Sequence, residues 1–340
     1  MKPILVYFPF LILMNLSACH SSNEDSKKVP SAITKIGIPS IDSLTERIFK
    51  EPKNAGLYYE RAKLFYQEPS KGGYDYAILD MKYALGIDSL NVDYHHFLAE
   101  VYMKYAQSRL ALQTMERAAA LYPDRVPTLL KLAEYQLLVK QNGESLETLN
   151  HALKMDPQSS EAYFLLGQNF KQTGDSARAI NSFQKAADLN SDNTDAFIEL
   201  GLLFDRRNSP LALRYFDNAL SHDSLNVQAL FSKAVYWQNH GQEGDAVEIY
   251  QKINTIDPHY PDAYFNLGVL YASVDSVGRA LDYFNSCIRE KPTYFKAYYY
   301  RGLIEEKKGD TKAALEDYRQ ASGLMPGYEK ARDAIQRLSH

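Results

Sequence analysis

His95 and His96 are neighbours, and an adjacent pair of histidines invites a metal ion. On a helix, successive side chains point about 100° apart, so the two rings cannot readily face one ion. The sequence holds no H-E-x-x-H, no paired C-x-x-C and no glycine-rich phosphate loop, so neither a metal nor another cofactor is expected. The 42 acidic residues are scattered at solvent spacings, and no two are placed across a pocket for acid and base work. A non-enzymatic protein is the expectation. The formal net charge of −4 gives no attraction for phosphate backbones, so no nucleic-acid partner is expected either.

The two cysteines are too few for a disulfide framework. Cys19 closes a segment that begins with Lys2, continues through the apolar run Ile4 to Met14, and ends Leu16-Ser17-Ala18-Cys19. The run is too short for a stable membrane span, and its basic start and small residues describe a secretory signal. Leu16 to Cys19 resembles the lipobox of bacterial lipoproteins. That resemblance implies cleavage before Cys19, lipidation of its sulfur and acylation of its amine; a plain cleaved signal is the alternative. By the same resemblance His20, in place of an aspartate, favours the outer membrane. The polar stretch Ser21 to Asp25 faintly resembles an acidic surface-export tether, which leaves periplasmic and surface orientations open. Residues 20 to 40 lack apolar periodicity and read as a tether from the lipid to the folded body.

The rest of the chain repeats itself. "AYFLLGQNF" at 162, "AFIELGLLF" at 196, "ALFSKAVYW" at 229, "AYFNLGVLY" at 263 and "AYYYRGLIE" at 297 are copies about 34 residues apart. Such a period marks a helical repeat array. Small residues recur at Ala62, Ala99, Ala133, Gly167, Gly201, Ala234, Gly268 and Gly302. A second small position runs from Ala77 and Ala111 to Ala314, and a third from Ala84 to Ala321, with Cys287 in that third slot and Ile253 its exception. Small residues at these spacings let two antiparallel helices touch closely. Cys287 is therefore expected to be a packed, unreactive thiol. Pro123, Pro157, Pro258, Pro292 and Pro326 punctuate the ends of second helices, while Gly174, Gly241 and Gly309 occupy the turns within repeats.

This pattern resembles the tetratricopeptide repeat, on residues such as Tyr163, Leu166, Gly167, Phe170, Ala179, Phe183 and Ala186 of the fourth copy. The resemblance implies an all-α fold, a right-handed superhelix of about eight helix-turn-helix repeats with capping helices. The expected organisation is a signal at 1–18, a tether at 19–40, a capping helix at 41–54, eight repeats at 55–326 and a closing helix at 327–340. Gln136, Lys233, Arg301 and Glu305 depart from the usual apolar or aromatic pattern and put local packing in question.

In that family the first helices line a concave wall. The residues three before each small slot are Tyr59, His96, Leu130, Phe164, Ile198, Phe231, Phe265 and Tyr299; those one after are Lys63, Glu100, Glu134, Gln168, Leu202, Val235, Val269 and Leu303. From the fifth repeat onward both rows are apolar. The candidate binding ladder is thus Ile198, Leu202, Phe231, Val235, Phe265, Val269, Tyr299 and Leu303, suited to a helix or extended segment of an envelope protein. Simple packing between helices, the chain's own tether or a second copy forming a homodimer are the alternatives. The expected function is that of a lipid-anchored scaffold in the bacterial envelope, attached to the membrane through Cys19.

Overall fold

The computed structural model describes residues 36–69 and 72–339. Among them are eighteen helices and no strand. After α1 (Pro39–Lys50) come the pairs α2 (Ala55–Tyr66) with α3 (Gly73–Ile87), α4 (Val92–Lys104) with α5 (Ser108–Leu121), and α6 (Val126–Leu138) with α7 (Asn142–Met155). They are followed by α8 (Ser160–Gln172) with α9 (Ser176–Leu189), α10 (Thr194–Asp205) with α11 (Leu211–His222), and α12 (Val227–Asn239) with α13 (Glu243–Ile256). The last pairs are α14 (Pro261–Ser273) with α15 (Val277–Glu290) and α16 (Phe295–Lys307) with α17 (Thr311–Leu324), closed by α18 (Glu329–Leu338). Two compact units divide between Ala118 and Ala119, inside α5.

Local chemistry starts and stops these helices. Asn91, Ser159, Asn193 and Asn226 accept backbone N–H groups at the starts of α4, α8, α10 and α12, satisfying donors that a helix leaves unpaired. At the turn within a repeat, one residue takes a positive φ and the next donates its N–H back to a carbonyl in the last helical turn. Gly174 is the model case, with φ of 82° and an Asp175 N–H bond of 2.8 Å to the Phe170 carbonyl. Ala106, Lys140, Asn208 and Asp275 adopt the same left-handed conformation where the sequence offers no glycine. The turn geometry is thus a property of the repeat, imposed on side chains that disfavour it.

Packing explains the small slots. A Cβ on Gly167, Gly201, Gly268 or Gly302 would lie 2.5, 2.4, 2.6 or 2.8 Å from the ring of Phe183, Phe216, Phe284 or Tyr318 on the paired helix. Each ring is fully buried, packed where the glycine leaves its backbone bare. Where the slot is Ala62, Ala99 or Ala133, the residues at the matching register of the paired helix are Met81, Met115 and Leu149, also fully buried. Slot and filler vary together because the interior is close-packed and has a fixed width to fill. Ala234 with Tyr250 is the one alanine that faces a ring position.

Arg301, Lys233 and Gln136 are compensated across helices, and Glu305 at the end of its own helix. Arg301 donates through Nε and Nη2 to both oxygens of Asp317 at 2.7 Å, and through Nη1 to Asn285 at 2.6 Å. Lys233 pairs with Asp217 at 2.6 Å. Gln136, buried, accepts from Thr148 at 2.9 Å, and Glu305 pairs with Lys308 at 3.1 Å. In the first repeat Arg61 and Asp80, 3% and 0% exposed, form a bidentate pair at 2.7 and 2.8 Å.

The first described helix begins at Pro39, two residues before the expected start of the capping helix. Proline suits the first helical position, and the Asp42 carboxylate accepts the N–H groups of Ile36 and Gly37 at 2.8 and 3.2 Å. The expected signal and Cys19 lie outside the described residues. No described helix is long and apolar enough to cross a membrane.

Candidate interaction surface

The ladder residues sit on α10, α12, α14 and α16, all in the second unit, but with unequal exposure. Ile198 is only 4% exposed and packs with Ala219 and Ala229, so it fills the core where the sequence pattern placed it on a wall. The physical reason is that alanines on both flanking helices bring them close enough to cover it. Leu202 is half-buried against two core clusters.

Phe231, Phe265 and Tyr299 each lie half-buried among other rings. Phe231 is 5.8 Å from Tyr250 and 5.4 Å from Tyr260. Phe265 is 6.0 Å from Phe284, 5.2 Å from Tyr294 and 5.4 Å from Tyr300. Tyr299 is 5.6 Å from Tyr318 and 5.2 Å from Tyr328. Val235 and Val269 are half-buried beside them, and Leu303, 37% exposed, is the open member. The rows therefore pack the repeats together and also present apolar edges to solvent.

Tyr260, Tyr294 and Tyr328 are the residues the sequence reading passed over. Each stands two positions after a proline, at Pro258, Pro292 and Pro326, and that 34-residue recurrence was the available signal. Each immediately precedes a helix and braces the ring of the repeat before it. The Tyr294 hydroxyl donates to Asp262 at 2.6 Å, and burial together with that carboxylate holds the phenol far above its usual range. Cys287 is fully buried, and burial pushes its thiol up to about 12, leaving no thiolate to react.

The rows of the earlier repeats differ. Leu130 is buried, and Phe164 lies 5.5 Å from Phe183. Gln168 and Lys171 both donate to Glu199, at 3.0 and 2.6 Å. Burial raises the Glu134 carboxyl, an influence that Lys131 opposes. In the first unit, Lys63 rests over the Tyr59 ring, and the Glu100 carboxylate helps raise the Tyr66 phenol.

Among the described residues no three His, Cys, Asp or Glu side chains gather as a metal would need. A cleft of about 390 Å³ between α15, α16 and α17 has Arg301 in its wall, but Asp317 and Asn285 already occupy that guanidinium. What the surface can do is bury apolar side chains of another molecule beside fixed rings.

Comparison with known proteins agrees with the architecture. Tetratricopeptide-repeat family models match residues 160–193, 202–261, 261–294 and 295–327. The Arabidopsis thaliana protein CTR9 homolog is 22% identical over 329 residues, covering 81% of this chain and 30% of its own length. The type IV pilus assembly protein PilF of Pseudomonas aeruginosa is 25% identical over 135 residues, covering 39% of this chain and 54% of its own. The chain thus spans well under two thirds of either relative. Among solved structures, the APC/C hetero-tetramer Cut9-Hcn1 superposes with a TM-score of 0.58 at 17% identity, covering 89% of this chain and 59% of that one. The described residues are therefore all-α, and those from 160 to 327 that the models match are tetratricopeptide repeats.

Proposed function

We propose that this protein is a non-enzymatic scaffold, anchored by lipid at Cys19 in the outer membrane, that holds another envelope protein through the row Leu202, Phe231, Val235, Phe265, Val269, Tyr299 and Leu303. The observation that carries the binding role is the row itself: three consecutive repeats fix an aromatic ring half-open to solvent, and the last adds an exposed leucine. Apolar edges on rigid helices lose little entropy when a partner covers them. The envelope setting rests on Lys2, the apolar run and Leu16 to Cys19, and similarity to a pilus assembly protein is in keeping with it. A second copy of the chain covering the same row is the other reading.

The test is crosslinking and pull-down from membranes with Leu303→Asp and Val269→Asp, alongside light scattering of the purified protein. Loss of a crosslinked envelope protein with fold and monomer mass unchanged supports the scaffold. Undiminished capture by both variants overturns the assigned surface, and a concentration-dependent dimer that the variants dissolve transfers the row to self-association. The anchor is tested separately: Cys19→Ala should abolish labelling by radioactive palmitate, and a labelled, membrane-bound mutant would refute it.

A further inference from the structure

The first unit carries a second aromatic surface of different chemistry. On α2, Tyr59, Lys63 and Tyr66 share one face, four and three positions apart. Rings from α3 and α4 and the residue after α4 extend it. Tyr59 lies 5.4 Å from Phe97, Phe97 5.6 Å from Tyr66, Tyr66 5.8 Å from Tyr74, and Tyr74 5.5 Å from Tyr105. Tyr59, Tyr66, Tyr74 and Phe97 are half-buried, and Tyr105 is 38% exposed. The rings meet edge-on or tilted, so they hold one another in place while keeping outer edges and faces in reach of solvent.

The charges that act on these rings are almost all negative. The Glu100 carboxylate acts on the Tyr66 phenol, and Asp75 accepts a hydrogen bond from Tyr105 at 3.2 Å. Tyr94, 5.1 Å from Tyr59, has Asp88, Glu60 and Asp93 around it, and all three carboxylates push its phenol upward after burial. Burial, followed by Glu100, pushes the Tyr66 phenol up to about 12. Lys63 places its ammonium 4.6 Å from the Tyr59 ring centre and 2.8 Å from Glu60. The chain thus already seats an ammonium between an aromatic face and a carboxylate on this surface.

We infer that the strip Tyr59, Tyr66, Tyr74, Phe97 and Tyr105, with Glu60, Asp75 and Glu100, is a docking site for an extended, lysine- or arginine-bearing peptide segment. Side chains on one face of an extended chain recur every 6 to 7 Å or about that, close to the ring-to-ring steps of the strip. Cations gain from both the ring faces and the carboxylates. A nucleic acid or an acidic segment is repelled by the same groups. Lys63 competes with the incoming cation for Tyr59, so it acts as a brake. This surface is separate from the apolar row of the second unit, and either proposal can fail without the other.

The experiment is isothermal titration calorimetry of the full chain with acetylated hexa-lysine, and with hexa-glutamate as the opposite charge. Hexa-lysine should bind more tightly, and raising the salt should weaken it. Tyr59→Leu with Tyr66→Leu should weaken binding about tenfold, a loss of about 1.4 kcal/mol. Glu100→Gln should weaken it several-fold, and Lys63→Ala should tighten it. Should the double leucine variant lose its helical circular dichroism, Glu100→Gln and Lys63→Ala decide the matter alone. Equal affinity for the two peptides, unchanged affinity in Glu100→Gln, or weaker binding in Lys63→Ala would overturn the proposal; the last would point to an acidic or neutral occupant.

Discussion

Phe265 and Tyr294 lie 5.2 Å apart, a ring from one repeat braced by the residue that opens the next. The same relationship joins Phe231 to Tyr260 and Tyr299 to Tyr328. In the proposed function the row has a double role, because each ring assigned to a partner also couples neighbouring repeats. Phe265→Ala should therefore cost about 2 to 3 kcal/mol in stability, somewhat less than a fully buried phenylalanine. Leu303→Ala should be nearly neutral for folding and weaken partner capture instead. Urea denaturation beside crosslinking yield separates the two effects. A Phe265→Ala protein of full stability would show that the ring belongs to the open surface alone.

Gly268 faces Phe284, with room for backbone and none for a Cβ. Gly268→Ala should destabilise the protein by about 1 to 3 kcal/mol through overpacking. Adding Phe284→Leu should recover much of that loss, since Ala133 with Leu149 is a combination the chain already uses. Hydrogen exchange should quicken mainly in α14, α15 and their neighbours, as expected of a repeat protein. Equal acceleration in α2 and α3 would argue against that locality.

Arg61 and Asp80 form a buried pair, and Arg61 also donates to Thr45 of α1 at 3.0 Å. Burial pushes the Asp80 carboxyl up while Arg61 draws it down. Removing one partner strands the other charge, so Asp80→Leu or Arg61→Met alone should cost about 3 to 5 kcal/mol. The double replacement should be markedly milder than the sum of the singles. Additive losses in a denaturation-based mutant cycle would mean that the two groups do not depend on each other.

His259 and Glu290 meet at 2.7 Å. Donating its Nδ1–H to Glu290 raises the histidine above 6.5, and accepting that bond lowers Glu290 below 4.5. A raised histidine adds stability below its unfolded value and loses it as pH climbs through the folded one. A lowered glutamate adds stability above its unfolded value and loses it as pH falls through the folded one. The pair is at full strength between about 4.5 and 6.5. An NMR titration should find His259 above its ordinary value, returning toward it in Glu290→Gln. No movement in that variant would remove Glu290 as the cause.

The repeat period, the helix pairs and the small slots could be read from the chain because each rests on local regularity. Helix periodicity, proline stops and glycine turns act within a few residues, and copies at 34-residue intervals reinforce one another. Cys287 was legible for the same reason, since its slot is otherwise small in neighbouring copies. The tertiary structure alone decided how far each wall residue is covered. Ile198 and Phe265 hold the same register on their helices, yet one is sealed beneath alanine-bearing neighbours and the other stands among half-open rings. It alone also showed that Arg301 and Arg61 are matched by Asp317 and Asp80, partners 16 and 19 residues away on another helix. Burial and ion pairing are sums over neighbours from several helices, and such sums are fixed only when the helices have packed.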